Sequence, residues 1–219
     1  MSAPFEVPAS EQGNWTGAIR RYVSKTWPWT KLLPSREPTY VSSWLYSAGA
    51  LGVAAFILLV ASGCVLALGG PQWWHHSSLG RLVNSVHFWS VQLFFASIAI
   101  HLVTNFFLAA WRGGRWLTWA SGCMCLGVMV ITAFSGYCLM TNKDAQFIAI
   151  NAKDAMNAMG AGWFFNVLDL GQMFIIHIAV FPLVLGGLTL GHILLVRKKG
   201  ICPPIGFEHL DEREGTEEI

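Results

Sequence analysis

Four stretches of this chain contain no Asp, Glu, Lys or Arg: Val41–Gly80, Leu82–Trp111, Trp116–Asn142 and Leu170–Val196. Each exceeds the roughly 20 residues that cross the hydrocarbon core of a bilayer. With no water in that core to satisfy backbone groups, such segments fold as helices. Spans are expected at about 43–68 (A), 82–110 (B), 117–140 (C) and 168–196 (D). The expected fold class is therefore an all-α membrane protein, a bundle of four transmembrane helices forming one domain over residues 41–200. Composition agrees: 54% of residues are hydrophobic and 12% charged, against about a quarter charged in soluble domains.

The cations orient the bundle. Arg20, Arg21, Lys25, Lys31 and Arg36 precede span A, Arg112 and Arg115 join B to C, and Arg197, Lys198 and Lys199 follow D. The A–B and C–D connections hold only Arg81, Lys143 and Lys153. By the positive-inside rule both termini are expected on the cytoplasmic side of a cell (plasma or inner) membrane. Residues 1–40 are then a cytoplasmic N-terminal segment, too long and polar for a cleavable signal peptide. Residues 201–219 form a cytoplasmic tail whose acidic end, Asp211–Ile219, is expected to be disordered. The net charge of +2 follows from this topology and points to no nucleic-acid partner. Trp27, Trp29, Trp73, Trp74, Trp111, Trp116, Trp119 and Trp163 fall at span ends, as interfacial anchors do. Between C and D, residues 143–160 (KDAQFIAINAKDAMNAMG) read as one or two short helices on the outer face. They serve either as a structural surface helix or as the wall of a quinone pocket or a docking platform.

His87 and His101 lie in span B, and His177 and His192 in span D, at spacings of 14 and 15 residues. An ionisable residue inside a membrane is costly and marks a function by default. At ~1.5 Å per residue each spacing covers roughly 21–22 Å, and at ~100° per residue both histidines of a span face one side. B and D both enter from the outer side, with His87 early in B and His177 early in D. His87 therefore pairs with His177 near the outer face and His101 with His192 near the cytoplasmic face. Two opposed neutral imidazoles form the axial ligand set of a six-coordinate b-type haem, held without covalent attachment, since no CxxCH occurs. Zinc would need four ligands. The alternatives are hydrogen bonding between helices, or a proton path as in a transporter or channel.

Glycines share the histidine interval: Gly49 and Gly63 in A, Gly122 and Gly136 in C. Glycine permits the close approach that a flat ligand beside a helix requires. Cys64, Cys123, Cys125 and Cys138 read as small apolar residues of the spans, and Cys202 lies where no disulfide is expected. His75 and His76, beside Trp73 and Trp74, read as a solvated outer-loop pair.

These residues resemble the cytochrome b/b6 family over roughly residues 30–205. The resemblance is carried by Ser85-Val86-His87 with Trp89, Leu117-Thr118-Trp119 with Gly122 and Ser135-Gly136-Tyr137, and Arg197-Lys198-Lys199-Gly200 after His192. The length and the Pro203-Pro204 end look like the short, split form, cytochrome b6. The resemblance implies two b-type haems, a low-potential one on His87 and His177 and a high-potential one on His101 and His192. It also implies an electron-transfer subunit of a quinol-oxidising, dimeric bc-type complex. Its partners would be a separate C-terminal cytochrome b chain (subunit IV-like), a Rieske iron–sulfur protein, a c-type cytochrome and a quinone. Arg197 and Lys198 would attract a quinone carbonyl or a haem propionate, or anchor the chain by charge.

Three positions depart from the family pattern. Asn84 and Gln172 stand where arginines usually meet haem propionates, with Arg81 one turn back as a substitute for the first. Met140-Thr141-Asn142-Lys143 replaces the usual segment lining the quinol-oxidation pocket. Ser47 stands where cytochrome b6 keeps the cysteine that tethers a further haem, so no third haem is expected. The altered segment keeps a second function open: a di-haem membrane anchor linking another respiratory dehydrogenase or reductase to the quinone pool.

Overall fold

The computed structural model describes residues 15–26, 39–140 and 142–207. Trp27, Trp29, Lys31, Arg36 and the acidic tail end lie outside the described residues. Among those described there are helices and no strands, in the order α1 (Trp15–Thr26), α2 (Trp44–His76), α3 (Ser78–Phe107), α4 (Trp116–Cys138), α5 (Lys143–Ala158) and α6 (Leu170–Lys199). A 3₁₀ turn, Thr39–Ser42, leads into α2. The helices α2, α3, α4 and α6 are long and apolar enough to cross a membrane and correspond to spans A, B, C and D. The chain is a multi-pass membrane protein.

Helix α2 runs on beyond residue 68, the expected end of span A, within the same uncharged stretch. Gly70 takes the left-handed region (φ 73°) directly before Pro71, which breaks the helical hydrogen-bond ladder. A short helical segment then runs on to His76. Ser77 ends it and opens α3, its Oγ accepting from the Gly80 amide at 2.9 Å. At the other end of α3, Gly113 and Gly114, both at positive φ, turn the chain into α4.

The bundle consists of two closely packed pairs, α2 with α3 and α4 with α6. The histidine-bearing helices α3 and α6 are not among the closely packed pairs of the described residues. The two pairs meet in a central core made of Ala55, Phe94, Met129 and Leu185, one residue from each span. Phe94 lies seven residues from both His87 and His101, and Met129 seven from both Gly122 and Gly136. This apolar layer therefore crosses the bundle midway between the two histidine levels.

A second core lies at one end. Cys138, Ala149, Val167 and Met173 are buried together, with Phe134, Met156 and Ile176 packed around them. Within residues 143–160 a single helix forms, α5, whose alanine and methionine face enters this core while Phe147 and Ile150 remain exposed. Asn142 caps it, accepting from the Ala145 amide at 2.8 Å. At the opposite end, residues 201–207 are tied to the bundle rather than hanging free. Tyr40 and Tyr46 donate to the Ile201 and Cys202 carbonyls at 3.0 Å each, and Arg112 donates to the Pro203 carbonyl at 2.6 Å. Only the part of the expected tail beyond 207 lies outside the described residues.

Candidate metal centres

The structure brings the four histidines together as two pairs. The His87 and His177 rings have centroids 6.3 Å apart with planes at 82°, and the His101 and His192 rings are 6.4 Å apart at 86°. A metal bound by two opposed imidazoles fits this separation: ~2 Å for each metal–nitrogen bond, with ~1.2 Å from each nitrogen to its ring centre, gives about 6.4 Å.

Three of the four rings are fixed through Nδ1. His87 Nδ1 lies 2.9 Å from Ser62 Oγ, His177 Nδ1 3.1 Å from Ser135 Oγ and 3.0 Å from the Thr132 carbonyl, and His192 Nδ1 3.0 Å from Ser121 Oγ. Each serine donates its own proton back to its helix: Ser62 to Leu58, Ser121 to Thr118 and Ser135 to Thr132. The hydroxyl oxygen is thereby left to accept from the imidazole. An Nδ1–H held in this way fixes the tautomer and leaves Nε2 with its lone pair for a metal. Among the described residues, Nε2 of these three rings has no hydrogen bond. In the sequence these serines are marked only by standing directly before one of the four glycines: Ser62-Gly63, Ser121-Gly122, Ser135-Gly136.

Each glycine sits against a histidine ring. A Cβ built on Gly63 would lie 3.3 Å from His87 Cε1, on Gly122 3.1 Å from His192 Cε1, and on Gly49 2.9 Å from His101 Cε1, while on Gly136 it would overlap His177 Cε1. The close approach that these glycines permit is thus to the imidazoles themselves. The histidines are carried by α3 and α6, and the glycines that accommodate them by their packing partners α2 and α4.

The unequal spacings have a structural cause. Residues Ile176–Val180, which include His177, form a π-helical turn, and Pro182 follows within the next turn of α6. A π turn absorbs one extra residue. It lets 15 residues in α6 do what 14 do in α3, so His177 and His192 stay on one face. Proline, which lacks the N–H of the regular ladder, is a usual cause of such a break.

The remaining positions fall outside the pairs. Arg81 is exposed and Asn84 half-buried on α3; Arg197 and Lys198 are exposed at the end of α6. Gln172 is committed to the chain before α6, its Oε1 accepting from the Asn166 amide at 2.6 Å and its Nε2 donating to the Phe164 carbonyl at 2.8 Å. All five cysteines are free, with Cys138 and Cys202 buried.

Among the described residues, no group of three or more His, Cys, Asp or Glu side chains converges. Two imidazoles are too few for a bare structural metal, but they are the complement left by a haem iron. One further observation fits a ligand at the inner level: Thr118 Oγ1, one turn from Gly122, is buried without a hydrogen-bond partner.

Residues 92–216 match the family described as cytochrome b (N-terminal)/b6/petB. The chain belongs to this family. The match includes His101, His177 and His192, with His87 just before it. Family relatives include the menaquinol:cytochrome c reductase cytochrome b subunit of Bacillus subtilis, 25% identical over 206 residues covering 81% of this chain and 92% of that one. The cytochrome b6 of Heliobacterium modesticaldum is 22% identical over 190 residues, covering 77% and 89%. Among solved structures, a chain of a hyperthermophilic respiratory Complex III superposes with a TM-score of 0.67 at 20% identity. It covers 93% of this chain, which spans 62% of the length of that one, and shows the shared fold.

Proposed function

We propose that this chain is the electron-transfer cytochrome b subunit of a bc-type complex in a cell membrane. It binds one b-type haem between His87 and His177 and a second between His101 and His192. The observation that carries this reading is the pair of ring separations, 6.3 and 6.4 Å, each the distance that two imidazoles holding one metal would take. Haem, when bound, supplies one-electron redox chemistry with no coordination position open for substrate.

The chain's own residues do the rest. Nε2 of each histidine would hold the iron. Ser62, Ser135 and Ser121 hold three of the rings in the ligating tautomer. The four glycines let α2 and α4 close over the imidazoles. The layer of Ala55, Phe94, Met129 and Leu185 keeps water out of the space between the two levels, which lie about 21 Å apart along α3. By charge, the His87 level faces the outer side and the His101 level the cytoplasm, with both termini cytoplasmic. The relatives' names supply the wider setting: a quinol as donor and a c-type cytochrome as acceptor. In that setting the chain works with a separate C-terminal cytochrome b chain and a Rieske protein, in a dimeric complex.

One observation favours a second reading. Asn142 caps α5 two residues after Met140, so α5 begins where the family pattern places the segment lining the quinol-oxidation pocket. A di-haem anchor that passes electrons between the quinone pool and another respiratory module would not need that segment. Purifying the complex under mild conditions distinguishes the two. The first reading predicts a Rieske protein among the subunits and haem b reduction by added quinol at the outer site. A dehydrogenase or reductase subunit in its place supports the anchor. A reduced-minus-oxidised spectrum without a b-type α-band would remove both.

A further inference from the structure

The four ligand rings are not held alike. At three positions a serine precedes the glycine and its hydroxyl sits 2.9–3.1 Å from the imidazole Nδ1. At the fourth, the residue before Gly49 is Ala48, buried and without a polar atom to offer. Among the described residues, the side chain that reaches the His101 ring is Asn105, one turn further along the same helix, with Nδ2 3.3 Å from Nδ1 and 3.5 Å from Nε2.

That amide is oriented by a second bond. Asn105 Nδ2 donates to the His101 carbonyl at 2.8 Å. Exchanging the amide's nitrogen and oxygen would set two acceptor oxygens against each other, so the nitrogen assignment stands on the network. One amide nitrogen cannot lie in the ring plane along both imidazole nitrogens, so Asn105 sits against the ring and offers Nδ1 no acceptor, where its three counterparts meet one. A ligating imidazole that carries its proton on Nδ1 becomes more basic when that proton is accepted by a hydroxyl or carbonyl. A more basic ligand favours the more positive, oxidised metal.

We propose that Ala48 is a positioning residue whose missing hydroxyl makes His101 the weakest electron donor of the four ligand histidines. It thereby raises the reduction potential of the inner haem relative to the outer one. The inference rests on the two-haem reading above. Its physical content is a single missing acceptor: a serine at position 48 would complete the pattern found at positions 62, 121 and 135. The direction of electron flow across the bundle then has a residue-level cause in this chain, independent of how exposed each haem is.

The test is a redox titration of the purified, haem-loaded full-length protein, following the α-band of each haem. The haems are assigned by which one persists in His87→Ala. Ala48→Ser is expected to lower the midpoint of the inner haem and leave the outer one in place, narrowing the gap. Ser62→Ala, which removes the hydroxyl from His87, is expected to raise the midpoint of the outer haem alone. The proposal is overturned if Ala48→Ser, with both haems bound, leaves the inner midpoint unmoved or shifts both haems equally. If Ala48→Ser does not load two haems, Ser62→Ala decides: an unmoved outer midpoint overturns the proposal. Failure of the two-haem reading is a separate outcome, visible as a wild-type protein with fewer than two b-type haems per chain.

Discussion

Adding one methyl group at each of the four glycines grades the pressure on the four histidines. On Gly63 the new Cβ would sit 3.3 Å from His87 Cε1, about 0.1 Å inside ordinary contact and within the roughly 0.2 Å by which metal–ligand distances vary. On Gly122 it would sit 3.1 Å from His192 Cε1, about 0.3 Å inside and just beyond that tolerance. On Gly49 it would sit 2.9 Å from both Cε1 and Nδ1 of His101, an encroachment of about 0.5 Å, the limit within which a functional site must be held. On Gly136 it would overlap His177 Cε1 and lie 2.9 Å from Nε2, the ligating nitrogen. Helix propensity works against any loss, since alanine favours a helix by about 1 kcal/mol over glycine. The expected order of haem retention is therefore Gly63→Ala, then Gly122→Ala, then Gly49→Ala, then Gly136→Ala. Gly63→Ala should keep both haems, Gly49→Ala should lose the inner one and Gly136→Ala the outer one. Haem per chain from the absorbance of reduced, purified protein measures this. Equal loss in all four variants, or a worse result for Gly63→Ala than for Gly136→Ala, would refute the steric reasoning.

Two further outcomes follow from the helix geometry. Deleting Ala179 from the π turn shortens the α6 spacing to the 14 residues of α3 and is expected to leave two haems, whereas inserting one alanine after Ala179 should release the outer haem; haem content reads both. Leu185→Ala opens a cavity in the midway layer at a cost of about 2–5 kcal/mol, seen as a lower unfolding temperature with the haem count unchanged.

The spans and the histidine pairs were legible because each depends on a pattern within one helix: absence of charge, and a spacing close to a whole number of turns. Four features were not. The serine anchors act across helices, so Ser62, Ser121 and Ser135 carry no periodic mark beyond preceding a glycine. The π turn at Ile176–Val180 shifts a hydrogen-bond register by one residue, and its traces in sequence are Pro182 and the extra residue in the histidine spacing. The continuation of span A past Gly70 depends on one backbone torsion. The partner of each glycine is an imidazole, a pairing set by how α2 packs on α3 and α4 on α6. Gln172 illustrates the same limit: its departure from arginine was visible, but its use in holding the Phe164–Asn166 loop was not.

The pairing of the four histidines is tested most directly by the spectra of the four single histidine-to-alanine variants. His87→Ala and His177→Ala should each leave one haem per chain with the same residual α-band, and His101→Ala and His192→Ala should each leave the other. If His87→Ala and His101→Ala left the same haem, or if any of the four kept two, the two-centre account would be wrong.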